Sequence, residues 1–297
     1  MNNALTHLHP SLENILSQSI DEKIQFVQKS KWIGYPKAHD ILNKLEDLLS
    51  YPEQPRMPNM LIVGNSNNGK THLINHFTKK HLADENVYGE HIIAPVIYCE
   101  APPTPNEGAF YSEILHMLYE RIPSSSVDAK KHRVIEVLSN IQTKILIIDE
   151  LHNMLAGSST KQQNFLNMIK HLSNKLQISI VGCGTPDLIR AISIDPQIQN
   201  RFIPEVLPNW SYNTQFKKLL ASYESVIPLP EASNLANDKM SLKLHAVTDG
   251  LIGELNQCLT MAAIYCIKQG ETKIDSNTID KCGYRQPQQR SKLPIHI

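Results

Sequence analysis

One eight-residue segment constrains the fold of this chain more than any other feature. It follows the apolar run at 60–63, precedes a helical pattern at about 71–82, and matches G-x-x-x-x-G-K-[ST]. Its residues are Gly64, Asn65, Ser66, Asn67, Asn68, Gly69, Lys70 and Thr71. A glycine-rich turn from a buried strand into a helix directs backbone N–H groups and the positive helix end toward phosphates. The segment therefore predicts a phosphate loop, with a strand-to-helix turn that holds no ligand as the alternative.

The loop residues have distinct predicted roles in binding ATP and Mg²⁺. Lys70 is expected to reach the β- and γ-phosphates, and the hydroxyl of Thr71 is expected to bind Mg²⁺. The remaining loop residues, together with His72, are expected to line the nucleotide.

Three further apolar runs predict the rest of a sheet. They lie at 95–99, 145–148 and 178–182, and helical patterns lie between them at about 109–121, 129–141 and 162–176. An amphipathic helix at 36–50 precedes the first strand. Buried strands that alternate with helices are typical of an α/β fold, here a parallel sheet flanked by helices.

The carboxyl-terminal third has a different pattern. Beyond Pro208 the strand-like runs stop, and helical patterns follow at about 213–226, 238–248, 253–269 and 276–282. We therefore expect an N-terminal extension at 1–30, an ATPase core at 31–210 and a small all-helical lid domain at 211–282. Residues 283–297 are expected to form a flexible basic tail, since they carry Arg285, Arg290 and Lys292 and no acidic residue.

Two carboxylates close the apolar run at 145–148. Asp149 is expected to order the Mg²⁺ shell, and Glu150 is expected to polarise the attacking water. A solvated strand end is the alternative interpretation. A strand and two helices, at 95–141, separate this motif from the phosphate loop. That insertion fits the NTPase class that includes the AAA+ proteins.

Two later residues are candidates for the hydrolytic step. Thr185 follows the run at 178–182, where a polar side chain can lie beside the γ-phosphate and report hydrolysis. Thr185 can equally serve as the N-cap of a helix that starts at Pro186. Arg201 precedes the last strand, where an arginine would point at a neighbour's ATP and act in trans. A plain surface arginine is the alternative.

Composition excludes several classes of protein. The 297 residues carry 29 basic and 29 acidic side chains, so any contact with nucleic acid must be local. Five cysteines without a C-x-x-C pair argue against a disulfide scaffold or a zinc ribbon. No run of about 18 apolar residues occurs, so membrane spanning is not expected and we predict a cytoplasmic location.

The chain resembles the TniB/TnsC family of AAA+ transposition regulators over about 31–282. The similar segments are Trp32-Ile33-Gly34-Tyr35-Pro36, Arg56-Met57-Pro58-Asn59 with the phosphate loop, and Gly250-Leu251-Ile252-Gly253-Glu254-Leu255. The resemblance implies an ATPase that binds double-stranded DNA without sequence preference and oligomerises on it as a ring or filament. It also implies target-site selection and activation of a TniA/TnsB-like partner transposase, and it allows a TniQ-like targeting protein.

The resemblance also assigns roles to individual positions. Ile33 and Gly34 would border the adenine, and the segment at 101–108 would face DNA. Further DNA contacts would come from a serine loop and a basic helix start, namely Ser124, Ser125, Ser126, Lys130 and Lys131, with Arg133 beside them. AAA+ lids commonly carry a sensor arginine where this chain has Glu254.

Two other functions fit the same motifs. One is a nucleotide-switched ATPase that binds only proteins, because the neutral net charge gives no independent support for DNA binding. The other is a replication initiator or helicase loader of the AAA+ class.

Overall fold

The computed structural model describes residues 7–155, 157–193 and 199–290. The chain divides into two compact units. One comprises residues 36–208, and the other joins the segment up to residue 35 with the segment from residue 209 onward.

A five-stranded parallel sheet forms the centre of the first unit. Its strands are β1 (Asn59–Gly64), β2 (Val96–Glu100), β3 (Ile145–Asp149), β4 (Ser179–Gly184) and β5 (Phe202–Leu207). Their order across the sheet is β2-β3-β4-β1-β5. Helices of this unit are Pro36–Leu49, Lys70–Lys80, Glu107–Met117, Val127–Asn140, Ser159–Leu176 and Asp187–Ile192, with a 3-10 turn at Leu151–Leu155. The predicted α/β class is confirmed.

The apolar runs form strands because both faces of the sheet are covered. Every residue of β1, β3 and β4 is buried, which explains why these strands read as continuous apolar runs rather than alternating ones. Helices contribute large buried side chains to this core, including Phe77, Phe110 and Tyr111.

A buried carboxylate joins the first helix of this unit to an edge of the sheet. Glu205 of β5 accepts hydrogen bonds from Lys37 at 2.8 Å and Lys44 at 2.7 Å, both on Pro36–Leu49. Burial raises the pKa of Glu205, but the two lysine hydrogen bonds outweigh it and lower the pKa overall. The pair of lysines therefore compensates a charge that would be costly to bury alone.

β5 lies at an edge of the sheet and pairs with β1. Ile203, Pro204 and Val206 are exposed along it. A proline cannot donate a backbone N–H, so this edge is a poor template for a further strand.

The second unit is helical. It begins with a 3-10 turn at Pro10–Leu12. Its α-helices are Glu13–Leu16, Ile20–Gln28, Thr214–Glu224, Asp238–Thr248, Ile252–Gln269, Ser276–Lys281 and Pro287–Arg290. Val27 is buried in the same core as Phe216 and Leu259. The amino-terminal segment therefore groups with the carboxyl-terminal helices, whereas the sequence predicted a separate extension to residue 30 and placed 31–35 with the ATPase core.

A tight backbone contact explains why position 250, at the start of the segment 250–255, is a glycine. Gly250 has φ +64°, and a Cβ there would lie 2.2 Å from the carbonyl oxygen of Trp210. The N–H of Trp210 donates to the Gly250 carbonyl at 2.8 Å. A side chain at position 250 would push apart the start of the helical segment and the turn before Ile252–Gln269.

The predicted flexible tail is held in place as far as Arg290. The guanidinium of Arg290 forms a two-pronged bond to the buried carboxylate of Glu254, at 2.5 and 3.1 Å. The hydroxyl of Tyr284 donates to the same carboxylate at 2.8 Å. This interaction raises the pKa of Arg290. Lys292 and the rest of 291–297 lie outside the described residues.

No single helix in the described part of the chain is long and apolar enough to cross a membrane. The helices Asp238–Thr248 and Ile252–Gln269 meet that length and composition only as a pair, and they are bent by 116°.

We expect Asn59→Ala to destabilise the protein. The side-chain oxygen of the buried Asn59 accepts the N–H of Ile180 at 2.7 Å and so joins the first residue of β1 to β4. Leaving that buried N–H without an acceptor costs about 1–3 kcal/mol in the free energy of unfolding. Urea denaturation measures the loss, and Asn140→Ala, at an exposed helix end, is the matched control. Equal stability of the two variants would contradict the assigned role of Asn59.

Candidate active site

The parallel register brings the predicted site residues to one edge of the sheet. Val63 pairs with Gly184, and Ile148 pairs with Gly182. The phosphate loop after β1, Asp149 at the end of β3 and Thr185 after β4 therefore meet at the carboxyl edge. Ligand sites of open α/β sheets lie at this edge.

The phosphate loop needs its glycines for two different reasons. Gly69 has φ +84° and precedes the first residue of Lys70–Lys80, so it takes a backbone conformation that side chains disfavour. Gly64 lies so close to β5 that a Cβ would approach the Leu207 carbonyl oxygen to 2.8 Å. Asn67 also adopts a left-handed conformation, with φ +60°.

Asn68 anchors the loop to the end of β5. Its side chain is buried, and its amide nitrogen donates to the carbonyls of Leu207 at 2.8 Å and Pro208 at 3.0 Å. The side chain is thus directed into the protein, which leaves the backbone of this residue to shape the loop. The sequence pattern places Asn68 in the loop but contains no signal for its anchoring role.

Lys70 lies under the loop that it belongs to. Its ammonium donates to the carbonyls of Gly64 at 2.8 Å and Asn65 at 2.9 Å. Burial lowers the pKa of Lys70, while the negative charges of Glu150 and Asp149 partly offset this effect. The lysine is therefore positioned within a site that already contains two carboxylates.

The two predicted Mg²⁺ ligands are in direct contact. The hydroxyl of Thr71 donates to Oδ2 of Asp149 at 2.8 Å, and the hydroxyl of Tyr98 approaches the same oxygen at 3.2 Å. Burial and the charge of Asp149 raise the pKa of Tyr98, so it stays a neutral donor. One hydroxyl and one carboxylate suit Mg²⁺, which takes few protein ligands and keeps waters and phosphate oxygens as the rest. Tyr98 is a site residue that sequence analysis missed.

An unusual backbone conformation directs the side chain of Glu150 away from that of Asp149. Its φ is +52°, and its N–H donates to Oδ1 of Asp149 at 2.8 Å. Its half-exposed carboxylate lies 3.1 Å from Nδ1 of His152, without hydrogen-bond alignment. The turn at Glu150 thus directs one carboxylate to Thr71 and leaves the next one open to solvent.

Thr185 directly follows the last residue of β4. The helix after it is Asp187–Ile192 with Pro186 as its N-cap, and no side chain caps it. The alternative that Thr185 is the N-cap is therefore wrong. A Cβ at Gly184 would come within 3.3 Å of three atoms of His152, so the end of β4 packs closely against the turn that follows Glu150.

Arg201 lies at the amino-terminal ends of the parallel strands, whereas the phosphate loop lies at their carboxyl-terminal ends. It immediately precedes β5, and Phe202 of β5 pairs with Asn59, the first residue of β1. The six residues of β1 span about 20 Å, so Arg201 cannot reach the loop of its own chain. Its guanidinium donates to the side chain of Asn174 at 2.7 Å. Residues 194–198, shortly before Arg201 in the chain, lie outside the described residues.

The other predicted nucleotide contacts lie in different surroundings. Ile33 is half-buried against the core of the helical unit, and Gly34 is exposed. Ile33 borders a small pocket with Lys31, Asn256 and Thr260, where burial lowers the pKa of Lys31 to about 8. His72 is exposed on the first turn of Lys70–Lys80.

Some of the predicted DNA-contacting residues already bond to other groups within the chain. Ser126 is the N-cap of Val127–Asn140, since its hydroxyl accepts the N–H of Ala129 at 3.1 Å. Arg133 is ion-paired with Glu120 at 2.6 Å and with Glu136 at 3.0 Å. Ser124 and Ser125 are exposed, and Lys130 and Lys131 are half-exposed on the first turns of the helix. Lys131 lies 4.0 Å from the exposed carboxylate of Asp128, so the two lysines and the two serines stay accessible to solvent, Lys131 with this weak partner.

Comparison with known proteins gives one family. The family model described as "Bacterial TniB protein" matches residues 23–212. No curated protein matches the chain significantly.

Solved structures with a similar fold include ORC and Cdc6 proteins. The Aeropyrum pernix ORC2 protein, solved with ADPNP and ADP, aligns with TM-score 0.63 and 15% identity over 92% of this chain and 73% of that one. Cdc6p from Pyrobaculum aerophilum gives TM-score 0.63 and 17% identity over 87% and 69%. The Aeropyrum pernix ORC1 protein in complex with DNA gives TM-score 0.57 and 16% identity over 87% and 68%. At these identities the likeness establishes the AAA+ ATPase fold.

We expect Asn68→Ala to loosen the phosphate loop. The substitution leaves the Leu207 and Pro208 carbonyls without the amide donor, which costs about 1–3 kcal/mol of stability. A displaced loop should also weaken binding of a fluorescent ATP analogue. Thermal unfolding and fluorescence titration measure the two effects, with Asn140→Ala, at an exposed helix end outside the loop, as control. An Asn68→Ala protein that matches Asn140→Ala in both assays would show that the anchor is dispensable.

Proposed function

The chain belongs to the TniB family, and from this premise we propose that it is a Mg²⁺-dependent ATPase that regulates DNA transposition. In this proposal it oligomerises on double-stranded DNA, selects the target site and activates a partner transposase. The contact between Thr71 and Asp149, with Glu150 next in the chain, carries the enzymatic part of the proposal. It joins the ends of β1 and β3 in the arrangement that ATP hydrolysis requires.

Each site residue has its own proposed role in ATP binding or hydrolysis. Lys70 exchanges its two loop carbonyls for β- and γ-phosphate oxygens when ATP binds, because phosphate is the stronger acceptor for an ammonium group. Thr71 and Asp149 would hold Mg²⁺, which would supply positive charge to the phosphate oxygens. Glu150 accepts a proton from the attacking water or orients it, since its carboxylate is the solvent-accessible one of the pair. Thr185 completes the edge as a γ-phosphate sensor.

Nucleotide binding has support from the solved structures of similar fold. The ORC2 structure from Aeropyrum pernix contains ADPNP and ADP. In this chain Ile33 and Gly34 are the proposed adenine contacts, and the loop backbone from Gly64 to Thr71 with His72 holds the phosphates.

DNA binding has two lines of support. The ORC1 structure of similar fold was solved with DNA. In this chain Ser124, Ser125, Lys130 and Lys131 form an accessible group at the start of one helix. Because the net charge is zero, a local group of this kind must supply the phosphate contacts.

The partner follows from the family. A TniA/TnsB-like transposase is the proposed partner, with a TniQ-like protein as a further candidate. Homo-oligomers, as rings or filaments, are the proposed active form.

A replication initiator is the second candidate function, favoured by the likeness to ORC and Cdc6p. The family match favours transposition over it. Stimulation of ATP hydrolysis by a TniA/TnsB-like transposase, compared with stimulation by a replicative helicase, separates the two candidates. A protein that hydrolyses ATP but binds no DNA in any nucleotide state would instead be a nucleotide-switched protein binder.

We expect Lys70→Ala and Glu150→Gln to fail at different steps. Lys70→Ala loses the ammonium that contacts the phosphates, so ATP affinity should fall by roughly tenfold or more. Glu150→Gln keeps the loop and the Mg²⁺ ligands, so it should bind ATP normally and hydrolyse it at least about 100-fold more slowly. Equilibrium binding and phosphate release measure the two quantities. Normal hydrolysis by Glu150→Gln would remove it from the mechanism.

We expect ATP-dependent, salt-sensitive binding of random-sequence duplex DNA. Fluorescence anisotropy with ATP, a non-hydrolysable analogue, ADP and no nucleotide measures it. Lys130→Glu with Lys131→Glu should weaken binding and lower the slope of log K against log salt by about 2. The control is Lys239→Glu with Lys281→Glu, which has the same charge change at exposed positions of the helical unit. Equal slopes for the two double variants would exclude this helix start as the DNA contact.

A further inference from the structure

A buried ring nitrogen lies beside the carboxylate of Glu150. It is Nδ1 of His152, on the 3-10 turn Leu151–Leu155, and it lies 3.1 Å from Oε2 of Glu150. The two atoms are not aligned for a hydrogen bond, and Nδ1 makes none with any residue that the structure describes. A buried polar atom usually has a partner, so its place next to an open carboxylate calls for an explanation.

Two glycines of β4 hold the turn that carries His152. A Cβ at Gly182 would lie 2.4 Å from Cδ2 of Leu151, and a Cβ at Gly184 would lie 3.1 Å from Nδ1 of His152 and 3.2 Å from its backbone nitrogen. Alternate residues of a strand share a face, so both glycines leave room on the same side of β4. Glycine inside a strand often marks such a close approach. The turn is thus seated on β4, and Nδ1 is kept near Glu150.

The mobile member of this pair is Glu150. Its side chain is 43% exposed, against 28% for His152, and its terminal torsion has a broad range. The distance of 3.1 Å already suits an N–H···O bond, so a rotation within the Glu150 side chain suffices to align the atoms. A neutral histidine carries its proton on one nitrogen, and the adjacent carboxylate favours Nδ1 as that position. Nδ1 is therefore a donor placed for one oxygen of Glu150.

We propose that His152 is a positioning residue for ATP hydrolysis. Its Nδ1–H donates to Oε2 of Glu150 and so holds the other carboxylate oxygen toward the attacking water. A carboxylate that is fixed at one oxygen no longer turns away from the water, and orientation of this kind lowers the barrier to reaction. The inference rests on the proposed ATPase function and adds a residue to it. Because His152 packs on Gly184, the same contact joins the base to the strand end that precedes Thr185.

Three substitutions at position 152 separate the donor from the ring. His152→Phe keeps a ring and removes both nitrogens. His152→Asn loses the ring but can place an amide N–H where Nδ1 stands, whereas His152→Gln, with one more methylene, places it where Nε2 stands. The control is His39→Phe, the same change at an exposed position of the helix Pro36–Leu49.

We expect the rate to follow the donor at the Nδ1 position. All variants should bind a fluorescent ATP analogue within about twofold of wild type, since the phosphate loop and the Mg²⁺ ligands are intact. The kcat should fall roughly tenfold or more in His152→Phe and His152→Gln, with little change in KM, and stay within about threefold of wild type in His152→Asn. A packing role gives the opposite order, because phenylalanine fills the space on Gly184 and asparagine does not. Thermal unfolding of each variant reports packing separately from rate.

A double variant shows whether His152 acts through Glu150. Glu150→Gln removes the carboxylate that His152 orients, so adding His152→Phe should change the residual rate by less than about twofold. The same His152→Phe substitution costs about tenfold or more when Glu150 is present, and this difference measures the coupling between the two residues.

Several outcomes overturn the proposal. A wild-type kcat in His152→Phe, with slow hydrolysis by Glu150→Gln, removes His152 and leaves the proposed ATPase function standing. Faster hydrolysis by His152→Phe would mean that the histidine restrains Glu150. A further tenfold loss in the double variant would mean that His152 acts independently of Glu150, and rates that follow thermal stability would make it a packing residue. A wild type that hydrolyses no ATP would remove both the proposed function and this inference.

Discussion

The hydrogen bond between Thr71 and Asp149 depends on the register of the parallel sheet. Thr71 lies on the first turn of the helix after β1, and Asp149 ends β3, with β4 between the two strands. The bond forms because β1, β3 and β4 end at the same level. A slip of one residue in either pairing would turn buried side chains to the other face and move Asp149 away from the loop. The pairing register of these buried strands therefore sets the geometry of a polar site.

The sequence predicted the elements of the fold well where periodicity and motifs are local. The helix Asp238–Thr248 has the predicted ends, and the phosphate loop joins a strand to a helix as its pattern requires. Asp149 ends a buried strand as expected, and Glu150 follows it in a turn. These elements are determined by residues within one or two turns of each other, which is the range that sequence patterns report.

Long-range contacts escaped sequence analysis. Ile20–Gln28 packs its Val27 into the helical core, although some 190 residues separate it from Phe216. The bonds from Arg290 to Glu254 and from Asn68 to Leu207 each join segments that no local pattern relates. The same limit applies to His152, whose place on Gly184 arises from the pairing of β3 with β4. Tyr98 was missed because a tyrosine in an apolar strand reads as a core residue until its neighbour is known.

Glu254 occupies the position where AAA+ lids commonly carry a sensor arginine. The structure gives this carboxylate two partners from the carboxyl-terminal segment, Tyr284 and Arg290. A buried carboxylate with a two-pronged arginine is costly to separate, since removal of either partner leaves an uncompensated group. Glu254 therefore holds Tyr284 and Arg290 against the helix Ile252–Gln269.

Pro204 affects side-by-side pairing of assemblies if copies of the chain stack into the proposed ring or filament. Such a stack repeats the same exposed β5 edge at every subunit, so a strand able to recruit another strand would fuse polymers side by side. Such fusion would proceed without regard to which nucleotide is bound, and hydrolysis could not reverse it. A single residue without an N–H in the middle of β5 interrupts the ladder that fusion would need. Growth of the proposed oligomer would thereby be limited to contacts that the nucleotide can make and break.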